Sequence, residues 1–146
     1  MQANITHTVP FFMVTDMQRS LEFYVKGLGF SVTQQWEPRG KIEWCNLRRE
    51  NAGVMLQEYR PEAYEAIKAV GKLGLGVSIM YICNDALSLY HEFVNKLIKV
   101  SEPFVGNNMW VISLQDPDGY TIFFESSTEV PEGTNYPDFL KKQQQQ

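Results

Sequence analysis

An internal repeat constrains this sequence more than any other feature. Two apolar strand-like runs, Val9–Val14 and Ser78–Cys83, lie 69 positions apart, and an Asp that can cap a helix follows each of them. The same offset relates two sets of apolar residues spaced for one face of a helix. These sets are Leu21, Tyr24, Val25 and Leu28, and then Tyr90, Phe93, Val94 and Leu97. The sequence therefore predicts two copies of one supersecondary unit.

Three further strand candidates, separated by turn residues, follow each predicted helix. They are Phe30–Trp36, Lys41–Leu47 and Gly53–Tyr59 in the first copy, and Val100–Val105, Met109–Gln115 and Tyr120–Ser126 in the second. Each copy therefore has the order βαβββ, which predicts an α+β fold. We expect one domain over residues 1–127, with modules at about 5–59 and 75–127 and a short helical linker at 60–74.

The segments outside the two modules carry weaker patterns. Within the linker, a short helix is predicted over Arg60–Lys72, with Ala63, Ile67 and Val70 as its apolar positions, and Gly71–Gly76 is expected to act as a flexible joint. Residues 128–146 form a C-terminal tail. Its end, from Lys141 to Gln146, has low complexity and is expected to be disordered.

Composition excludes several classes of function. The net charge is −4 and no basic stripe is present, which argues against nucleic-acid binding and against an anionic membrane surface. No apolar run approaches the ~20 residues of a membrane helix, and Met1–Thr8 does not resemble a signal peptide. Cys45 and Cys83 stand alone, outside any metal-ligand spacing. We therefore expect reduced thiols and a cytoplasmic location.

Two motifs on this duplicated frame resemble a known superfamily. The stretch Phe11–Tyr24, followed by Gly27-Leu28-Gly29-Phe30, is similar to the opening of vicinal-oxygen-chelate proteins, which include glyoxalases, bleomycin-resistance proteins and dioxygenases. Asp116–Ile122 (DPDGYTI) resembles their penultimate turn and last strand. The resemblance covers roughly Ile5 to Ser127. It implies paired modules in an open, incomplete barrel, an internal metal or ligand site, and commonly a homodimer.

The resemblance also allows a test for a metal site. Metal-dependent members take His and Glu ligands from strands one, four, five and eight, and spacing from the motifs locates the corresponding positions here. They hold Val9, Met55, Ser78 and Phe123. Such side chains do not suit a hard or borderline divalent cation. The sequence therefore predicts no ordinary metal site, and no cofactor is expected.

A displaced metal site is the alternative. His7 and Glu125 each lie two residues from an expected ligand position, so each stays on the same strand face. Together they are also the candidate catalytic residues, with His7 as a general base that Glu125 orients. However, the pair is an incomplete ligand set, and Glu58 is predicted to point to the face opposite Met55. His91 is predicted to face solvent.

Aromatic residues on the predicted strands indicate a ligand pocket. Trp44 and Trp110 lie on the third strand of each module and are interpreted as repeat-related walls of one pocket. Planar apolar walls bind flat or cationic organic molecules by stacking and cation–π contact. The predicted ligand-binding set is Val9, Trp44, Met55, Tyr59, Ser78, Trp110, Phe123 and Glu125. Ordinary core packing is the alternative for each aromatic residue taken singly.

Three classes of function follow from these patterns. We favour a metal-free protein that binds a small aromatic or cationic organic ligand, similar to bleomycin-resistance proteins, over an enzyme. The alternative is a divalent-metal-dependent lyase, isomerase or dioxygenase with displaced ligands. A protein-binding regulatory module is the third class, because one scaffold hosts many functions.

Overall fold

The computed structural model describes residues 4, 6–68 and 71–146. The predicted start of the first module at Ile5 and the predicted helix position Val70 lie outside the described residues. The chain divides into two compact units, Met1–Leu73 and Gly74–Gln146.

The first unit contains a four-stranded sheet of order β1-β4-β3-β2. Its elements are β1 (Phe11–Val14), α1 (Met17–Leu21, continued by a π-helical turn at Glu22–Gly27), β2 (Ser31–Trp36), β3 (Trp44–Arg49), β4 (Ala52–Glu58) and α2 (Pro61–Lys68). Strand β1 runs parallel to β4, and the other neighbours are antiparallel.

The second unit repeats this order with a sheet of order β5-β8-β7-β6. Its elements are β5 (Ser78–Ile82), α3 (Ala86–Asn95), β6 (Phe104–Gly106), β7 (Met109–Gln115), β8 (Thr121–Ser127) and α4 (Tyr136–Gln144). The predicted α+β fold of two βαβββ modules is confirmed, and neither sheet closes into a barrel within the described residues. No helix of the described residues is long and apolar enough to cross a membrane.

Each sheet has one buried face, on the side where the following helix packs. Side chains alternate between the two faces of a strand, so every second residue lies in the core. The buried residues of the first sheet and its helix include Val14, Tyr24, Cys45, Leu47, Val54 and Leu56. Those of the second include Phe93, Ile112, Leu114, Ile122 and Phe124. We call the other side of each sheet its open face.

Helices α1 and α3 begin as the sequence predicts. In each module the last strand along the chain, β4 or β8, adds a second contact. Asp16 Oδ1 accepts from Arg19 N at 3.1 Å, and Asp85 Oδ1 accepts from Ser88 N at 2.9 Å. These bonds satisfy first-turn N–H groups that would otherwise lack a partner.

The second contact uses a different side chain in each unit. Glu58 Oε2 accepts from Met17 N at 2.7 Å, and Ser126 Oγ accepts from Ala86 N at 2.9 Å. Glu58 therefore points to the helix side, as predicted, where it also pairs with Lys41. Each helix start is thus fixed to the last strand of its own sheet.

The sequence pattern predicts a constant repeat offset of 69, but the offset changes along the chain. Phe30 N donates to Tyr24 O at 2.9 Å, whereas Ile98 N donates to Phe93 O at 3.0 Å. The π-helical turn therefore places one extra residue in the first helix. On the last strand of each module the offset is 68: Met80 follows Phe11 by 69, but their strand partners Phe123 and Met55 differ by 68.

This slip explains an error in the predicted second helical stripe. Val94 is 42% exposed and Leu97 is 94% exposed, although both were expected on the apolar face. Helix α3 ends before Leu97, whose φ of 59° is left-handed, in the position that Gly29 occupies in the first unit with φ 77°. The bond from Ile98 N to Phe93 O closes this helix end in the manner of a Schellman motif.

The end of the C-terminal tail differs from the expectation of disorder, because Lys141–Gln144 lie in a helix. Residues Tyr136–Gln144 form α4, capped by Asn135, whose Oδ1 accepts from Asp138 N at 2.9 Å. Tyr136 and Phe139, three residues apart, pack against Trp110, with ring centroids 6.1 and 5.2 Å away. These aromatic contacts hold the segment on the buried face of the second sheet.

The carboxylate of Glu132, in the segment before α4, accepts hydrogen bonds from the hairpin between β6 and β7. Asn107 N and Asn108 N donate to the two carboxylate oxygens of Glu132, at 2.7 and 3.1 Å. Both asparagines have φ near 55–59°, so their N–H groups point the same way. These two bonds hold the pKa of Glu132 below its usual value of 4.5.

The glycine-rich joint is also fixed in part, not freely flexible. Gly74 N donates to Asp118 O at 3.0 Å, and a Cβ on Gly74 would lie 2.0 Å from Tyr120 N. Asp116 Oδ1 in turn accepts from Asp118 N and Tyr120 N, which shapes the predicted turn. Gly74 is therefore required for this close approach.

Leu97→Gly is expected to stabilise the protein by about 1 kcal/mol, because glycine adopts the left-handed conformation without the cost that a Cβ brings. Leu97→Ala is the control, since it removes the same exposed side chain and keeps the strain. Denaturant unfolding of both variants measures the difference. Equal stabilities of the two variants would contradict a strained helix end.

Glu132→Gln is expected to lower the free energy of unfolding at neutral pH. The folded-state pKa is depressed, so the contribution of Glu132 is present above its unfolded pKa near 4.5 and disappears as pH falls through the folded value. The variant and the wild type should therefore converge in acid. Glu129→Gln, at an exposed position nearby, is the matched control. A deficit that persisted unchanged at pH 2 would contradict this assignment.

Candidate functional site

The open face of the first sheet is the best-defined candidate surface of the first unit. Strand register arranges its side chains in three rows. One row contains Phe11, Met55, Asn46 and Gln34; the next contains Met13, Gln57, Trp44 and Trp36; and the third contains Gly53, Arg48 and Ser31. Phe11 is 53% exposed and Trp36 is 48% exposed, so the apolar surface here is large.

The open face of the second sheet also presents exposed apolar side chains. Ser78, Met80 and Ile82 on β5 pair with Thr121, Phe123 and Glu125 on β8. Met80 is 53% exposed and Ile82 is 68% exposed, and Phe104 on β6 is 47% exposed. The helices therefore leave the apolar side chains of Met80, Ile82 and Phe104 uncovered.

Four predicted ligand-position residues lie on these open faces. Met55 pairs with Phe11, Phe123 pairs with Met80, and Ser78 pairs with Thr121. Val9 lies two residues before Phe11 and lines a small cavity with Arg48 and Gly53. All four therefore lie on an open face, and their correspondence to the metal-ligand positions of the superfamily stays a prediction.

The donor chemistry of those four positions does not fit a divalent metal ion. Valine and phenylalanine offer no donor atom, and the methionine thioether and serine hydroxyl are poor ligands for zinc, magnesium or calcium. Within the described residues, no group of three or more His, Cys, Asp or Glu side chains is arranged to hold an ion. No chemical step through a metal can be derived from these residues.

Trp110 corrects the prediction of paired tryptophan walls. Trp110 pairs with Ser126, on the buried face of the second sheet, and is 5% exposed against Tyr136 and Phe139. Trp44 pairs with Gln57 on the open face of the first sheet. In the second unit, Val111 pairs with Glu125 and occupies the place that corresponds to Trp44. A shift of one residue exchanges the two faces of a strand, which is why the paired-wall prediction was wrong.

The remaining predicted site residues lie in separate units. His7 is exposed in the first unit, where its Nδ1 lies 2.9 Å from Thr6 Oγ1. Tyr59 follows β4, half-buried, and its N donates to Val14 O. Glu125 is half-buried on the open face of the second sheet. A catalytic pairing of His7 with Glu125 stays a prediction.

His91 and the two cysteines take no part in either open face. His91 is exposed, as predicted, and its Nε2 lies 2.8 Å from Tyr136 Oη. Cys45 is fully buried on the helix side, and burial raises its pKa to about 11, so it stays a neutral thiol. Cys83 Sγ donates to Glu125 O at 3.4 Å. Neither residue has the surroundings of an activated nucleophile.

Several open-face residues were missed by the sequence analysis. They are Phe11, Asn46 and Arg48 on the first sheet, and Met80, Ile82 and Phe104 on the second. Counting in steps of two from Val9 and Ser78 would have found those on β1 and β5. Asn46 has no comparable signal, yet its Oδ1 is buried without a hydrogen-bond partner among the described residues.

The fold and these faces define a class of protein: two βαβββ modules whose uncovered sheet faces present apolar and aromatic side chains. Residues 4–124 match the Glyoxalase/Bleomycin resistance protein/Dioxygenase superfamily. The chain belongs to this superfamily, which confirms the resemblance to vicinal-oxygen-chelate proteins.

An individual relative shares limited sequence identity with this chain. The chain is 25% identical over 124 residues to a probable lactoylglutathione lyase of Vibrio cholerae serotype O1, which covers 81% of this chain and 86% of that protein.

Solved structures share the fold. The antibiotic binding protein TnmS3 from Streptomyces sp. CB03234 superposes with a TM-score of 0.64 at 18% identity, covering 87% of this chain and 100% of that one. The bleomycin-binding protein of Streptomyces verticillus, solved with copper(II)-bleomycin, gives 0.63 at 14% identity, covering 88% and 100%. At such identities the likeness shows the fold alone.

Proposed function

We propose that this protein binds a small aromatic organic molecule, without a metal ion, against the open faces of its sheets. The observation that carries the proposal is the uncovered apolar surface there, above all Trp36 beside Trp44 on the first sheet. Solved proteins of the same fold that bind bleomycin and another antibiotic support it.

Exposed aromatic side chains provide enough free energy for such binding. Covering the exposed half of one tryptophan removes roughly 100 Å² from water, which is worth about 2–3 kcal/mol. Flat ligands gain further from stacking on the indole ring. Two adjacent tryptophans therefore suit a planar ligand better than an extended aliphatic one.

A charged group on the second sheet adds selectivity there. Glu125 lies on its open face, where a carboxylate suits a cationic group. An aromatic ligand with a positive charge therefore suits that face.

A metal-dependent lyase is the second candidate, favoured by the 25% identical relative from Vibrio cholerae. Val9, Met55, Ser78 and Phe123 argue against it, because a lyase of this superfamily would need other donors in their place. His7 and Glu125 remain the displaced ligands that such an enzyme would have to use.

The assembly and location of the protein stay predictions. The superfamily resemblance implies a homodimer, which light scattering on the purified chain would measure. The cytoplasmic location rests on the sequence alone.

Trp36→Ala is expected to weaken binding of a planar aromatic ligand by tenfold or more, with little change in melting temperature. A thermal-shift screen of naphthyl, anthraquinone and bleomycin-type compounds in excess EDTA identifies the ligand, and titration calorimetry measures its affinity. Leu140→Ala, on α4 and 41% exposed, is the control for loss of an exposed apolar side chain. Binding that needed a metal ion, or that survived Trp36→Ala unchanged, would contradict the proposal.

Protein purified without chelators is expected to contain less than a stoichiometric amount of divalent metal, because the four ligand positions lack suitable donors. Elemental analysis by mass spectrometry measures this directly. One bound ion per chain that is lost in a Glu125→Gln variant would establish the lyase-type site instead.

A further inference from the structure

Arg48 gives the open face of the first sheet a cationic end. The strand register places it beside Gly53, in the row next to that of Asn46 and Met55. A Cβ on Gly53 would lie 3.7 Å from Arg48 Nη1, so the guanidinium extends across β4. The side chain therefore points along the sheet toward the start of the first strand.

A small cavity lies where this guanidinium ends. Its volume is about 220 Å³, and it is lined by His7, Thr8, Val9, Arg48, Asn51 and Gly53. The polar side chains among these can all donate hydrogen bonds, and the arginine is permanently charged. None of the described residues that line the cavity carries a carboxylate, so its chemistry is that of an anion site.

Within residues 4, 6–68 and 71–146, the guanidinium of Arg48 has no partner, unlike those of Arg39 and Arg49. Arg49 Nη1 donates to Leu28 O at 2.6 Å, and Arg39 Nε pairs with Glu43 at 2.7 Å. Among the described residues, no side-chain hydrogen bond or ion pair engages the Arg48 guanidinium. An unpaired guanidinium beside a cavity of donors is able to take an anion from outside the chain.

We propose that the ligand of this open face carries an oxyanion, held by Arg48 in the cavity, and an aromatic group that lies toward Trp44 and Trp36. This inference rests on the proposed function and extends it by naming a second group of the ligand. Arg48 and Trp44 are four residues apart on β3, a separation of about 13 Å along the strand. The ligand is thus an elongated aromatic acid.

Carboxylate, phosphate and sulfonate groups share the geometry that a guanidinium recognises. The planar fork of donors binds two oxygens at once, which gives direction as well as charge. His7 and Asn51, on the walls of the same cavity, can supply further donors. A neutral ligand of the same shape would leave all of these donors without an acceptor.

Three naphthyl probes of similar size separate the contributions. Titration calorimetry compares 6-(2-naphthyl)hexanoate, 5-(2-naphthyl)pentyl phosphate and the neutral 6-(2-naphthyl)hexanamide on the wild-type protein, because their chains let the polar end and the ring span the distance between Arg48 and Trp44. We expect the anionic probes to bind more tightly than the amide. The tighter of the two anions identifies the oxyanion as carboxylate or phosphate.

Arg48→Met is the decisive variant. It removes the charge and keeps much of the aliphatic stem, so we expect affinity for the preferred anion to fall about fivefold to tenfold while the amide is unaffected. Arg60→Met is the matched control, since Arg60 is exposed just beyond the opposite end of β4. Arg48→Lys should retain part of the preference, because the charge stays and the fork is lost.

The results distinguish failure of this inference from failure of the proposed function. Failure of all three probes to bind the wild-type protein would contradict aromatic binding itself. Equal binding of anions and amide, or an equal loss for all three probes in Arg48→Met, would overturn the oxyanion site and leave aromatic binding standing.

Discussion

The two faces of each sheet differ because a helix packs on only one of them. This asymmetry requires apolar residues at alternate positions, and Val54 and Leu56 on β4 meet that requirement. The residues between them, such as Met55, do not have to be apolar for the helix to pack. What those intervening residues are decides what the open face can bind. On the same strands, therefore, one set of alternate positions determines the fold of the module, and the other set determines the chemistry of its open face.

Much of the fold could be predicted because its signals are local. Apolar runs, capping aspartates and turn residues mark each element, and the repeat shows that the elements occur twice. The positions that correspond to the superfamily's metal ligands were counted from nearby motifs, and that assignment stays a prediction. Val9 and Ser78 lie before the first helix of their modules, where the offset of 69 still holds. Counting fails where an insertion intervenes.

The errors have two physical causes. The repeat offset changes along the chain, from 69 between Phe11 and Met80 to 67 between Trp44 and Val111, and alternation along a strand converts a one-residue error into the wrong face. Trp110 was assigned to the open face because it lies one residue before the position that corresponds to Trp44. Helix α4 was missed for a different reason. Its last residues have low complexity, but its stability comes from Tyr136 and Phe139 packing on Trp110, a contact between segments distant in sequence.

Core residues and open-face residues alternate along each strand, and this alternation affects function. Replacing a metal-ligating side chain on the open face with methionine or phenylalanine removes nothing from the buried face, so the module keeps its packing. Conversely, the part of an apolar side chain that stays exposed there adds nothing to the stability of the fold. About half of Trp36 and half of Phe11 is exposed in this way. A ligand that covered this surface would gain free energy that folding leaves unused, which is an energetic reason for an apolar surface that packing alone does not supply.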